Sequence, residues 1–102
     1  PKGFHLHVFN SAYFALSAGN YEEALRQYEA IPEETEVDIN GLQRYLHEIY
    51  ERKKESAFLF AEGYTVYRWK NKEDGISILR EFVENGGPQM LVTKAKDLIG
   101  TV

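Results

Sequence analysis

Apolar residues recur along the chain every three or four positions, the spacing that places them on one face of an α-helix. Polar, proline or glycine-rich breaks interrupt this pattern at residues 19–20, 32–40, 71–74 and 86–88. A period of three to four, rather than the period of two expected for half-buried strands, runs through every segment between the breaks. The pattern therefore predicts an all-α domain of five to six helices.

The first two predicted helices meet at Gly19. Helix one carries a broad apolar stripe made of Phe4, Val8, Phe9, Ala12, Tyr13 and Leu16. Asn20 is placed to cap helix two, and Glu23 stands three residues later, where a capping box needs it. Helix two should end near Ile31, because Pro32 lacks an amide proton and disfavours a helical residue before it.

The middle of the chain leaves two arrangements open. A third helix is predicted to begin at Asn40, where Asn40 and Gln43 repeat the capping-box spacing, and its buried face would comprise Leu42, Tyr45, Leu46, Ile49 and Tyr50. The basic run 52–54 suits a helix C-terminus through the macrodipole. However, no glycine or proline stands between this run and Gly63, so one long helix from Asn40 to Lys70 is the alternative.

Two further helices complete the predicted domain. The fifth follows Asn71, ends at Gly86–Gly87 and points four apolar residues inward: Ile76, Leu79, Phe82 and Val83. The sixth opens at Pro88, and its apolar residues are Met90, Leu91, Ala95, Leu98 and Ile99. We expect Trp69, near the end of the fourth helix, to fill the joint between helices four and five.

The segment AYFALSAGNYEEALRQYEAIP, from Ala12 to Pro32, resembles a tetratricopeptide repeat, a unit of about 34 residues built from two antiparallel helices. Residues 5–38 match best, with Val8, Ala12, Gly19, Ala24 and Tyr28 at the large, small, turn, close-contact and aromatic positions. Small residues at these positions let the two helices cross closely. Pro32 departs from the repeat pattern because it arrives about four residues early.

A second, weaker match covers residues 56–89, with Leu59, Gly63, Gly75 and Leu79 at corresponding positions and Pro88 near its close. Residues 40–54 would then form an extra helix between the two units. The resemblance implies one tetratricopeptide-like stack of antiparallel helix hairpins over residues 1–102. Because the chain begins at Pro1 rather than methionine, we expect a domain cut from a longer protein.

The resemblance also implies a binding face, because the first helices of successive repeats line a concave groove. In this chain the groove residues would be Leu6, Phe9, Tyr13, Leu16, Phe60, Tyr64, Tyr67 and Arg68. This set is aromatic rather than basic, unlike the subgroup of the family that clamps acidic C-termini. It favours a noncatalytic scaffold whose partner is a helix or peptide of another protein.

A structural role is the alternative that the same residues leave open. The helix at 40–54 would pack into the groove, or a second copy of the chain would cover it as a homodimer. The aromatic residues would then be core or self-association surface, and the domain would serve oligomerisation or positioning within its parent protein.

Charge and composition narrow the classes of partner. The chain has 12 basic and 16 acidic residues, a net charge of −4 with both signs interspersed, so we expect no nucleic-acid binding. Its strongest apolar run, residues 57–61, stops at Glu62, far short of the ~20 residues of a membrane-spanning helix. The lack of cysteine excludes disulfides and thiolate metal ligands and is compatible with either a reducing cytoplasm or a secreted protein. The compartment is not fixed, and we slightly favour the cytoplasm.

Candidate catalytic and metal-binding groups are sparse. His5 and His7, two positions apart, would point to different sides of a helix. His47 and Glu51 share a face, but the second histidine of a zinc-protease motif is missing. Gly86–Gly87–Pro88 lacks the lysine of a phosphate-binding loop. We therefore expect no enzyme activity, no cofactor and no metal.

Overall fold

The computed structural model describes residues 6–100, with side chains from Phe9 to Gly100. It contains six α-helices: α1 (Leu6–Ser17), α2 (Tyr21–Ala30), α3 (Ile39–Lys53), α4 (Ser56–Trp69), α5 (Lys72–Asn85) and α6 (Gln89–Gly100). No strand occurs within this range. The predicted all-α fold of five to six helices is confirmed.

The predicted N-cap of α2 forms, and Asn71, the residue that the fifth helix was expected to follow, caps α5. The side chain of Asn20 accepts a hydrogen bond from the Glu23 amide at 3.4 Å, and Asn71 accepts one from the Asp74 amide at 2.8 Å. The capping box of α2 is incomplete, because the Glu23 carboxylate accepts hydrogen bonds from Arg26 and Gln27. Each cap satisfies one of the amides that the first turn of a helix leaves without a partner.

The predicted cap of α3 is wrong by two residues. Asp38, not Asn40, accepts the hydrogen bond of the Gly41 amide, at 3.2 Å, and α3 begins at Ile39. Asp and Asn are equally good N-cap residues, so residue type does not distinguish Asp38 from Asn40. The spacing from Asn40 to Gln43 favoured the wrong one.

Lys54 separates α3 from α4, so the alternative of one helix from Asn40 to Lys70 is wrong. Its backbone adopts the left-handed conformation, with φ 57° and ψ 31°, while its amide donates to the Tyr50 carbonyl at 2.7 Å. Glu55 is extended, and α4 starts at Ser56. A left-handed residue other than glycine costs about 1–2 kcal/mol and is uncommon, so the basic run 52–54 was the signal for a helix end here.

Helix α4 lies at the centre of the fold. Every residue from Ala57 to Val66 is buried, and the helix packs against α3 and α5 and more lightly against α6. The hairpin of α1 and α2 closes one side, and α6 covers α5. A helix that is buried on all sides needs an almost continuous apolar sequence, which the run at 57–61 supplies.

The α4–α5 hairpin is held at its closest approach by Gly75. A Cβ placed on Gly75 would lie 2.4 Å from the Cα of Tyr67, so only glycine fits against this backbone. At Gly63 the corresponding Cβ would lie 2.9 Å from the side chain of Leu79. These small residues let the two helices approach, the role expected for them in the predicted unit 56–89.

Two expectations about single side chains need correction. Met90 was expected on the apolar face of α6, but 46% of it is exposed, whereas Leu91 and Ala95 fill the buried face. Trp69 packs its ring edge-on against Phe9 at 5.1 Å and points its indole N–H at the Pro32 carbonyl, 3.4 Å away. These contacts tie the end of α4 to the first hairpin, which the expected joint between helices four and five did not include.

Candidate functional site

The side chains expected to form an open aromatic face lie mostly in the core. Five of them are at most 7% exposed: Phe9, Tyr13, Leu16, Phe60 and Tyr64. The side chain of Leu6 falls outside the described residues. No partner can contact these five buried groups in this structure, so they do not form the surface that the resemblance implied.

Aromatic contacts between helices explain this burial. Tyr28 on α2 packs edge-on against Tyr64 on α4, with ring centroids 5.0 Å apart, and against Phe9 at 6.2 Å. Tyr13 contacts Tyr28 at 6.3 Å and, on α3, Tyr45 at 6.2 Å. The aromatic residues thus pack against α2 and α3, the internal arrangement required by the structural alternative.

Arg68, also expected on the face, joins the two hairpins. Its guanidinium donates hydrogen bonds to the backbone carbonyls of Tyr28 at 2.7 Å and Ile31 at 2.8 Å, at the C-terminal end of α2. The same group lies over the Trp69 ring, 4.4 Å from its centroid. With 11% of its side chain exposed, Arg68 caps α2 and is largely withdrawn from solvent.

Tyr67, the last residue of the predicted face, is half-buried. Its backbone contacts Gly75, and its ring lies 5.8 Å from the Lys72 ammonium. Tyr67 therefore supports the α4–α5 hairpin.

Three hydroxyl groups come together in the core at Tyr13, Tyr28 and Thr65. Burial raises the pKa of Tyr13 well above its ordinary value and raises that of Tyr28 as well, so both phenols stay neutral. None of the three hydroxyls reaches hydrogen-bond geometry with another protein group. Neutral phenols enclosed in this way offer no base or nucleophile to an external substrate.

Glu62 is the buried charged residue of α4. Its carboxylate accepts a hydrogen bond from the Gln43 amide at 3.0 Å and pairs with Nδ1 of His47 at 3.1 Å. Nε2 of His47 lies 3.3 Å from a carboxylate oxygen of Glu51. The hydrogen bond to Glu62 raises the pKa of His47 above its ordinary value.

These groups border a polar cleft of about 750 Å³, the His47 cleft, lined by Asn40, Gln43, Arg44, His47, Glu48 and Glu62. Among the described residues, no three histidine, aspartate or glutamate side chains are grouped so that they could hold a metal ion. The buried carboxylate of the cleft already accepts hydrogen bonds from its own chain. We therefore interpret the hydrogen bonds of Glu62 at this cleft as a stabilising polar contact between α3 and α4.

A second groove, the Phe14 groove, has a different character. Its volume is about 660 Å³, and α1 contributes Asn10, Ser11, Tyr13, Phe14 and Ser17 to its wall. The facing wall on α3 comprises Tyr45, Ile49, Arg52 and Lys53, and Phe58 of α4 also lines it. Two helices and the start of a third thus border a groove of the size typical of ligand and peptide sites.

Phe14 stands at this groove with 78% of its surface exposed. Its neighbour Tyr13 is 7% exposed, since consecutive helical residues point about 100° apart. Phe14 and the half-buried Tyr45 give accessible apolar surface to a groove whose other walls carry polar and cationic side chains, a combination suited to an amphipathic ligand. We therefore take the Phe14 groove as the candidate functional site.

Sequence reasoning overlooked Phe14, because the buried stripe of α1 passes through Tyr13 and leaves Phe14 beside it. The signal was nevertheless present, since Phe14 is a large apolar residue that falls off the predicted stripe. Arg52 and Lys53 were interpreted only as groups that suit the C-terminus of a helix. Their position on the groove wall depends on how α1 and α3 pack.

Within residues 6–100 no helix has the length and apolar character needed to span a bilayer. No protein-family model matches the chain, and neither the curated proteins nor the solved structures contain a significant match to it.

Proposed function

We propose that this domain is a noncatalytic protein-interaction module that binds a helix or peptide of a partner protein. The observation that carries the proposal is the exposure of Phe14, 78%, at the edge of the Phe14 groove. The proposal keeps the class of function that the aromatic residues first suggested. It moves the binding surface from the buried aromatic residues to the groove between α1 and α3.

The shape of the groove supports a helical or extended ligand. Its α1 wall runs from Asn10 to Ser17, eight residues that span about 10 Å of helix. Two helical walls over an aromatic base resemble the grooves in which an amphipathic helix buries its apolar face. Tyr13, Ile49 and Phe58 line the inside but are at most 8% exposed, so a partner side chain that enters would contact mainly Phe14 and the half-buried Tyr45.

The repeat architecture is part of the proposal. The close crossing at Gly75 and the buried positions of Ala24 and Tyr28 support hairpin units over residues 5–38 and 56–89. In this interpretation α3 is the extra helix, and it takes the place next to α1 where the concave face of a regular repeat stack would be open.

A peptide-selection experiment tests the proposal. A displayed library of random peptides is panned on the wild-type domain and counter-selected on the Phe14→Asp variant, and affinities are then measured by calorimetry. Selected peptides should lose at least about tenfold in affinity for Phe14→Ala, because a central apolar contact is removed. The control Met90→Ala, at the other large exposed apolar residue of the described chain, should bind as the wild type does. Binding that is indifferent to Phe14 would contradict the proposal.

A structural or oligomerisation domain is the second candidate. The burial of Phe9, Tyr13 and Tyr64 favours it, because the aromatic residues are already used within one chain. Sedimentation of the purified chain distinguishes the two candidates. A dimer that dissociates on Phe14→Asp would assign the groove to a second copy, whereas a monomer that binds selected peptides supports the interaction module.

A further inference from the structure

We propose that the Phe14 groove takes an acidic amphipathic helix of a partner protein, with a large apolar side chain near Tyr45 and a carboxylate near Arg52 and Lys53. This inference rests on the proposed function and adds the chemistry and spacing by which the partner is recognised.

The charge of the groove points to an acidic ligand. Arg52 and Lys53 line its α3 wall, and no aspartate or glutamate is among the described residues that line it. The whole chain, by contrast, carries a net charge of −4. A local cationic edge on an acidic protein steers acidic segments to this groove and disfavours basic ones.

The acidic residues of α3 are turned away from the groove. Glu48 lines the His47 cleft instead, and Glu51 lies 3.3 Å from Nε2 of His47. Among the described residues no ion pair within 4.0 Å joins Arg52 or Lys53 to either carboxylate, even though Glu48 stands four positions before Arg52. Their location in the last turn of α3 also favours positive charge, because the carbonyl end of the helix carries partial negative charge.

The groove has two distinct ends along α3. Near one end Tyr45 contacts Tyr13, with ring centroids 6.2 Å apart. Arg52 follows Tyr45 by seven residues, which is about 10 Å along the helix axis. A partner helix lying along α3 spans this distance with the same seven residues, so its apolar anchor and its carboxylate should stand at positions i and i+7.

Synthetic peptides test the charge and the spacing. The probes are alanine-rich helices of about 16 residues, long enough for measurable helicity, with leucines at i and i+3. One peptide has glutamate at i+7 and i+8, the matched peptide has lysine there, and a third has its glutamates moved to i+5 and i+6, on another face. Fluorescence anisotropy is measured with the wild-type chain at about 50 mM and about 300 mM salt.

The glutamate peptide should bind about tenfold more tightly than the lysine peptide, and the difference should shrink at the higher salt concentration. The double variant Arg52→Glu, Lys53→Glu should reverse this preference. Arg52→Gln, Lys53→Gln should abolish it, and this neutral variant serves if reversed charges disturb the end of α3. The control Arg80→Glu, Lys96→Glu makes the same change in net charge at exposed positions of α5 and α6 and should keep the wild-type preference.

Equal affinity for the glutamate and lysine peptides, with binding still lost in Phe14→Ala, would overturn this inference and leave the proposed function in place. Equal affinity for the two glutamate peptides would overturn the i, i+7 spacing. No Phe14-dependent binding of any peptide, together with failure of the peptide selection, would overturn the proposed function itself. A concentration-dependent dimer that excludes the glutamate peptide would assign the groove to a second copy and overturn both.

Discussion

The guanidinium of Arg68 donates a 2.7 Å hydrogen bond to the backbone carbonyl of Tyr28, forty residues earlier in the chain. A second donor of the same group reaches the carbonyl of Ile31 at 2.8 Å. The last turn of a helix leaves carbonyls short of donors, and an arginine from α4 supplies a donor to the Ile31 carbonyl and a second donor to the Tyr28 carbonyl, which also accepts from the Ile31 amide at 3.1 Å. This contact joins the first hairpin to the central helix.

Replacement of Arg68 should therefore destabilise the whole domain. Arg68→Ala removes two charge-assisted hydrogen bonds and the contact with the Trp69 ring, and we expect the free energy of unfolding to fall by about 2–4 kcal/mol. Arg68→Lys should recover only part of the loss, because an ammonium lacks the planar fork that reaches two carbonyls. Urea denaturation measures both variants. The exposed control Arg80→Ala should stay within about 0.5 kcal/mol of the wild type, and an equally small change for Arg68→Ala would contradict the capping role.

Tyr13 should behave as a core residue. Tyr13→Ala removes a ring that is 7% exposed and packed against Tyr28, so we expect a loss of about 3–5 kcal/mol in the free energy of unfolding. Phe14→Ala, at the next position, should cost less than about 1 kcal/mol because Phe14 is 78% exposed. Thermal or urea unfolding of the matched pair provides the measurement, and equal stability of the two variants would show that Tyr13 is not core.

Gly75 should tolerate no side chain. Gly75→Ala places a Cβ 2.4 Å from the Cα of Tyr67, so α4 and α5 must separate, and we expect a loss of about 2–3 kcal/mol. Gly100→Ala is the matched control, since a Cβ there meets no atom within 4 Å and alanine is the better helix former. In urea unfolding, the free energy of unfolding of Gly100→Ala should equal that of the wild type or exceed it slightly. A neutral Gly75→Ala would contradict the close crossing.

Stability should depend on pH through His47. The hydrogen bond to Glu62 and the nearby charges of Glu62, Glu51 and Glu81 raise the pKa of His47 in the folded chain. A raised pKa means that the folded state holds the proton more tightly. The stabilisation that protonated His47 gives to the folded state is therefore complete below its unfolded pKa of about 6.5. It is lost as the pH rises through the folded pKa.

The variant His47→Gln isolates this contribution. The gap in the free energy of unfolding between wild type and His47→Gln should be larger at about pH 5.5 than at about pH 8.5. In a Glu62→Gln background the pH dependence of the gap should weaken, because the main partner of the imidazolium has lost its charge. A gap that stays constant, or that widens at high pH, would contradict this assignment.

Much of the helical architecture could be predicted from local sequence. Asn20 and Asn71 are good caps, Gly86 ends α5 with φ 85°, and Pro32 follows the end of α2, so the corresponding boundaries lie within a residue or two of those predicted. These signals act over three or four residues. At the break the basic run 52–54 suits a helix end, but no glycine or proline marks the left-handed residue Lys54 itself.

The candidate site could not be predicted in the same way. Whether Tyr13 faces solvent depends on Tyr28 and Tyr45, which reach it from other helices, and a hydrophobic period identifies a stripe without showing what covers it. Arg68 was expected on an open face because its helix position fits one. Its actual partners are two carbonyls about forty residues away, which only the tertiary fold brings into contact.

Hydroxyl-radical footprinting of the chain, alone and saturated with the glutamate peptide, tests the central claim most directly. It compares the oxidation of Phe14 with that of the fully buried Phe9 and Phe60. We expect Phe14 to be oxidised rapidly in the free chain and protected by the peptide, while Phe9 and Phe60 stay protected throughout. The opposite result would contradict the account: Phe9 and Phe60 would be oxidised rapidly in the free chain and protected by the peptide, while Phe14 would not change. The binding surface would then be the open aromatic face that the resemblance implied.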